Sequence, residues 1–112
     1  MSLNRNIALE RVGGDEELLR EIAGLFLEDY PNLISQIQQA VHAKDAHLLE
    51  RAAHSLKGSL SNFGSDAAYQ AAFDLEQLGR SKSMERSEMA LAHLEDVMNH
   101  VRPELEALSA GA

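Results

Sequence analysis

The stretch Leu49-Glu-Arg-Ala-Ala-His54-Ser-Leu-Lys57-Gly58-Ser-Leu-Ser-Asn-Phe63-Gly64 carries its apolar side chains at helical spacing. Leu49, Ala52, Ala53, Leu56, Leu60 and Phe63 fall in one arc roughly 100° wide when each residue turns the chain by about 100°. The spacing predicts a helix with one buried face, capped at its start by Asp45 and ended by Gly64 after Asn62 or Phe63. His54 lies about 150° from the centre of that arc, on the solvent side. Lys57 at i+3 and Gly58 at i+4 are its neighbours on the helix surface, and Ser61 at i+7 shares that side.

The rest of the chain has the same periodicity. With two Pro, few aromatic residues and little clustering of β-branched ones, nothing supports strands. A short first helix fits Asn4 to Val12, stopped by Gly13-Gly14. Asp15 caps a second, with Glu16 and Glu17 placed against the positive end of its dipole. It runs to about His42 through Leu18, Leu19, Ile22, Phe26, Leu33, Ile34, Ile37 and Val41. Pro31 inside it predicts a kink in the turn before, or else a break. Ser65 or Asp66 caps a fourth helix that closes near Gly79, before a short polar loop from Arg80 to Ser83. The fifth begins near Met84 and carries Leu91, Leu94, Met98, Val101, Leu105 and Leu108, the spacing of a bundle seam, with Pro103 bending it or ending it early.

Four long helices with short connections predict an all-α fold: an antiparallel up-down four-helix bundle with a short additional N-terminal helix as a lid. A chain of 112 residues is expected to form one domain over 1–112. Residues 1–3, Met-Ser-Leu, read as a leader, which would make this a domain cut from a longer chain.

Hydrophobic residues are 45% and charged residues 25%, a globular balance rather than a disordered one. The formal charge of −8 argues against a nucleic-acid partner and against an anionic membrane surface. The longest apolar stretch, Ile22 to Leu27, is far short of the roughly 20 residues of a membrane span. With no Cys there is no thiolate metal site and no disulfide, which suits a reducing, cytoplasmic setting.

Gly58 is the odd residue of the third helix. A mid-helix Gly costs about 1 kcal/mol relative to Ala, and on an exposed face no tight packing explains it. Access does: without a side chain at i+4, the imidazole of His54 is open to a bulky approach. Exposed imidazole is largely neutral near pH 7 and therefore a competent nucleophile. Lys57 adds a positive charge within reach of whatever is bonded there. An uncovered nucleophilic His beside a cation reads as a phosphoryl acceptor.

The segment from Ala52 to Gly64 resembles the signature of the histidine-containing phosphotransfer (HPt) family, H-x-x-K-G-[SA] with another Gly some six residues after the first. Residues 8–26, ALERVGGDEELLREIAGLF, are similar to that family's usual opening segment. Leu75-Glu76 with Gly79-Arg80 resembles its "LE..(A/G)R" close to the fourth helix. The likeness covers residues 8 to about 80.

The resemblance implies that His54 is phosphorylated, that Lys57 stabilises the phosphoryl group and that Gly58 leaves room for a partner. Around them, Glu50, Arg51, Ser55, Ser61 and Asn62 would form the docking face. The implied role is a relay intermediate in two-component signalling, exchanging a phosphoryl group with aspartates of receiver domains, in a response regulator or a hybrid histidine kinase. It implies a monomer with no cofactor and no kinase activity of its own. The residues agree: there is no Gly-rich phosphate loop, and Gly13-Gly14 reads as a helix stop. Glu76 departs from the Gln that some members place near the active His. A Glu there would repel a phosphoryl group, so it stays outside the expected site. Phe73 lies roughly opposite the stripe Ala68, Ala71, Leu75 and Leu78, and is expected in the core against another helix or else in a docking patch.

Two other readings compete. His42, His47, His54, His93 and His100 show no i,i+4 pair and no HExxH, so no metal is expected. Glu50 with His54, and Asp96 with His100, read as helix-surface hydrogen bonds. The alternative to phosphotransfer is a non-catalytic helical adaptor, which would bind partners without chemistry.

Overall fold

Four side chains start four of the helices. Asn4, Asp15, Asp45 and Ser65 each sit in extended backbone and accept a hydrogen bond from the amide three residues on, at Ile7, Leu18, Leu48 and Ala68. Each satisfies one of the donors that a helix start leaves free. The helices they begin are α1 (Arg5–Arg11), α2 (Glu16–Ala43), α3 (Ala46–Leu60) and α4 (Asp66–Ser81). The last, α5 (Ser87–Ser109), follows a 3-10 turn at Met84–Arg86, where the buried Ser87 hydroxyl donates to the Met84 carbonyl at 2.6 Å. The computed structural model describes residues 3–111; Met1 and Ser2 of the expected leader lie outside the described residues. No strand occurs among the described residues.

Helices α2 to α5 form an antiparallel up-down bundle in which each packs on the next and α5 closes the ring against α2. The long axis is 41 Å. The arc of α3 supplies the centre: Leu49, Ala52, Ala53, Leu56, Leu60 and Phe63 are all buried. Removing such faces from water is the main force that holds helices together. Phe63 packs on Phe26, whose ring stacks on Tyr30 with centroids 5.2 Å apart. After Leu60 the chain tightens into a 3-10 turn, Ser61–Phe63, and leaves it through Gly64 at φ 66°. Helix α1 lies over that turn, tied by the Asn4 amide to the Phe63 carbonyl at 3.1 Å.

The structure corrects three expectations and, at the two prolines, removes one of the two alternatives. Helix α4 does not close at Gly79 but runs to Ser81 and ends at Lys82 in the left-handed region, φ 58°. Gly79 is buried where α4 meets α3. Pro31 and Pro103 break neither helix; both are exposed, on faces where water can meet the carbonyl that each leaves unpaired. Met84 belongs to a separate 3-10 turn rather than to α5, and Val97 joins the buried seam. Phe73 is half-buried and stands outside the core.

Candidate functional site

His54 stands on the face of α3 away from the arc, with 66% of its side chain exposed. Its Nδ1 lies 3.1 Å from Glu76 Oε2, on α4. The Glu76 side chain is only 2% exposed. A buried charge is tolerated only with partners, and three converge here. Lys57 Nζ is 2.8 Å from Oε1, Arg80 Nη2 is 2.9 Å from Oε2, and His54 Nδ1 shares that second oxygen. Arg80 also donates from Nε to Glu50 Oε2 at 3.0 Å.

Burial pushes the Glu76 carboxyl up, but the hydrogen bonds from Lys57 and His54, then their charges, outweigh it and hold the group below the usual carboxylate range. Glu76 is thus an anion that can only accept. In a neutral His54 ring Nδ1 is therefore the nitrogen that carries the proton, and Nε2 the one with the lone pair. Nε2 has no protein partner among the described residues.

Lys57 reaches inward. Its side chain is 15% exposed, and Nζ lies 5.1 Å from the Phe73 ring centroid and 5.9 Å from that of Tyr69. Half-buried Phe73 is thereby accounted for, as one wall around the ammonium group. Gly58 is exposed, and a Cβ built on it would meet nothing within 4 Å. The helix surface at Gly58 is therefore open.

Of the expected docking residues, Glu50, Arg51 and Ser55 line one concavity with His54, together with Arg80. Ser61 and Asn62 are not gathered there. They belong to the 3-10 turn and line two other hollows, Ser61 beside Ile7 and Tyr69, Asn62 beside Leu25 and Ser59. The Ser61 hydroxyl is turned back to the Gly58 carbonyl at 2.6 Å. Glu50 pairs with Arg80 rather than with His54. His100 bonds the Asp96 carbonyl at 2.8 Å, and its contact to the carboxylate is longer, 3.9 Å.

Two residues of the cluster escape the sequence reading. Glu76 stays out because charge repulsion argues against it, and Arg80 because it falls in an expected loop. Glu76 carries a signal: it stands at i+4 from Ala72 and three before Gly79, both buried, so an acid sits in an apolar arc. Such an acid requires cations nearby.

Among the described residues no three His, Asp or Glu side chains gather as a metal site, and no helix is long and apolar enough to cross a membrane.

Comparison with known proteins gives the family. A family model described as the Hpt domain matches residues 21–110. Among solved structures, histidine-containing phosphotransfer protein B of Pseudomonas aeruginosa superposes with a TM-score of 0.89 at 22% identity, over 98% of this chain and 96% of that one. The HPT domain of a sensor hybrid histidine kinase from Shewanella does so with 0.85 at 19% identity, over 98% and 95%. At such identities the superpositions speak for the shared bundle. No curated protein sequence matches significantly. The family match spans most of the chain, from α2 through the helix of His54 to the end of α5, and the chain belongs to the Hpt domain family of histidine phosphotransfer in two-component signalling.

Proposed function

We propose that the chain is a relay intermediate that accepts a phosphoryl group on His54 Nε2 from an aspartyl phosphate of a receiver domain, and returns it to another. The observation that carries this reading is the contact between His54 Nδ1 and the Glu76 carboxylate, which leaves Nε2 as the free lone pair on an exposed ring. In the forward step Nε2 attacks phosphorus, the N–P bond forms, the O–P bond breaks and the aspartate leaves as its carboxylate. The Nδ1 proton stays on the ring. Positive charge that develops on the imidazole is met by Glu76, already in place. Gly58 keeps the approach open, and Lys57 supplies positive charge to the cluster. Glu50, Arg51 and Ser55 form the near rim of the docking face, with Ser61 and Asn62 farther along it.

The partner is a receiver domain, of a response regulator or of a hybrid histidine kinase. On this reading the domain spans 1–112, works as a monomer in the cytoplasm, and needs neither ATP nor a cofactor.

Mixing the chain with a phosphorylated receiver carrying labelled phosphate tests the reading. Label is expected on the wild type in an acid-labile, base-stable bond, and absent from His54→Gln, whose melting temperature stays close to that of the wild type because the site is exposed. Label retained by His54→Gln would remove His54 as the acceptor. Binding of a receiver with no transfer would leave an adaptor bundle.

A further inference from the structure

Lys57 stands one turn from His54 along the helix, as Arg51 does on the other side, yet Lys57 is committed elsewhere. Its Nζ is 2.8 Å from Glu76 Oε1, the oxygen that neither Arg80 nor His54 contacts, and the rings of Phe73 and Tyr69 flank it. Drawing Nζ out toward a phosphoryl group would leave a buried carboxylate oxygen uncompensated.

Arg80 stands differently. Its side chain is 56% exposed, and its Nη2 bonds the same oxygen, Glu76 Oε2, that His54 Nδ1 contacts. With Nε on Glu50, two of the five N–H groups of a guanidinium are used and three remain. Arg80 can therefore bond phosphoryl oxygens without releasing Glu76. It walls the concavity of about 460 Å³ beside His54, and Lys57 is absent from that wall.

We propose that Arg80 is the cation that bonds the phosphoryl group on His54, while Lys57 is a positioning residue that holds Glu76 against His54 Nδ1. This rests on His54 being the acceptor. Hydrolysis of phospho-His54 breaks the N–P bond as a water oxygen bonds to phosphorus, releasing inorganic phosphate and free imidazole. In a loose transition state the phosphoryl oxygens lose charge to the leaving nitrogen. A cation on those oxygens favours the intact bond, so Arg80 lengthens its lifetime.

Potassium phosphoramidate provides a test without a receiver, since it phosphorylates imidazole with loss of ammonia. The 31P resonance missing from H54Q marks phospho-His54, and its decay is followed in wild type, R80A, R80K and K57M. R80A is expected to shorten the half-life roughly five- to ten-fold and to move the resonance, with R80K restoring most of both. K57M is expected to lower the melting temperature and to shorten the half-life clearly less than R80A does. It should also alter the ring 15N shifts of unphosphorylated His54, as loosening of Glu76 demands. R80A leaves the Lys57–Glu76 pair in place, so it decides the Arg80 assignment even if K57M fails to fold. A wild-type half-life in R80A, or a folded K57M that decays as fast as R80A, overturns the proposal while leaving His54 as acceptor. If H54Q lacks no resonance, the acceptor reading itself fails.

Discussion

The backbone of Gly79 lies on the backbone of Glu50: a Cβ built on Gly79 would come within 2.6 Å of the Glu50 nitrogen and 2.7 Å of the Ala46 carbonyl oxygen. This close crossing of α4 and α3 sets the spacing of the site. Glu76 stands one turn before Gly79, and His54 one turn after Glu50. The crossing therefore holds Glu76 Oε2 at 3.1 Å from His54 Nδ1.

Gly79→Ala is expected to destabilise the fold by about 1–3 kcal/mol, since the methyl group meets backbone that cannot turn aside. The gain in helix propensity, about 1 kcal/mol, offsets only part of it. Urea unfolding of the two proteins makes the comparison. An unchanged midpoint would show that the helices part without cost and that the crossing does not set the site.

Gly58 is the opposite case, with open space where its side chain would be. Gly58→Ala is expected to raise stability by up to about 1 kcal/mol. Gly58→Gln should keep the fold and slow transfer from a receiver, because the longer side chain covers the approach to His54. Stability and activity then move in opposite directions, as they do where a residue is kept for function. Thermal melts and transfer rates on the same two variants decide it. Transfer by Gly58→Gln at the wild-type rate would end the access role.

These two glycines show where sequence reading succeeds and where it stops. Asp15, Asp45 and Ser65 are legible as caps because a cap is a local contact, completed within three residues. The buried arc of α3 is legible because helical period alone fixes which residues share a face. Gly58 is legible because its neighbour in the argument, His54, lies on the same helix. Gly79 reads as a stop because its true reason, the backbone of α3, lies about thirty residues away in the chain. Glu76 is excluded on charge for the same cause. The repulsion argument holds for a lone carboxylate, and only the packing of α4 on α3 brings Lys57 to it, while its own i+4 neighbour Arg80 reads as loop. Local patterns gave the exposed His54 and the bundle; the electrostatics of the site are tertiary.

That electrostatic cluster makes stability depend on pH through Glu76. Its carboxyl titrates below the ordinary value of 4.5, because Lys57 and His54 outweigh the effect of burial. Between the two values the folded chain binds fewer protons at this group than the unfolded chain does. Stability from Glu76 is therefore fully present above the unfolded value, and it is lost as pH falls through the lower, folded value. Glu76→Gln removes this contribution and leaves Lys57 and Arg80 facing a neutral group. At pH 7 the variant is expected to be about 1–3 kcal/mol less stable, below the range for a fully buried pair because Arg80 is largely exposed. As pH falls below 4.5 the gap should narrow, since the unfolded chain then takes up a proton at Glu76 and the folded chain does so only at lower pH. Urea unfolding of both proteins from pH 7 down to pH 3 measures the gap directly. A gap that stays constant over that range would mean that Glu76 is not held ionised by its partners, and that the Nδ1–H form of His54 is not fixed by a carboxylate.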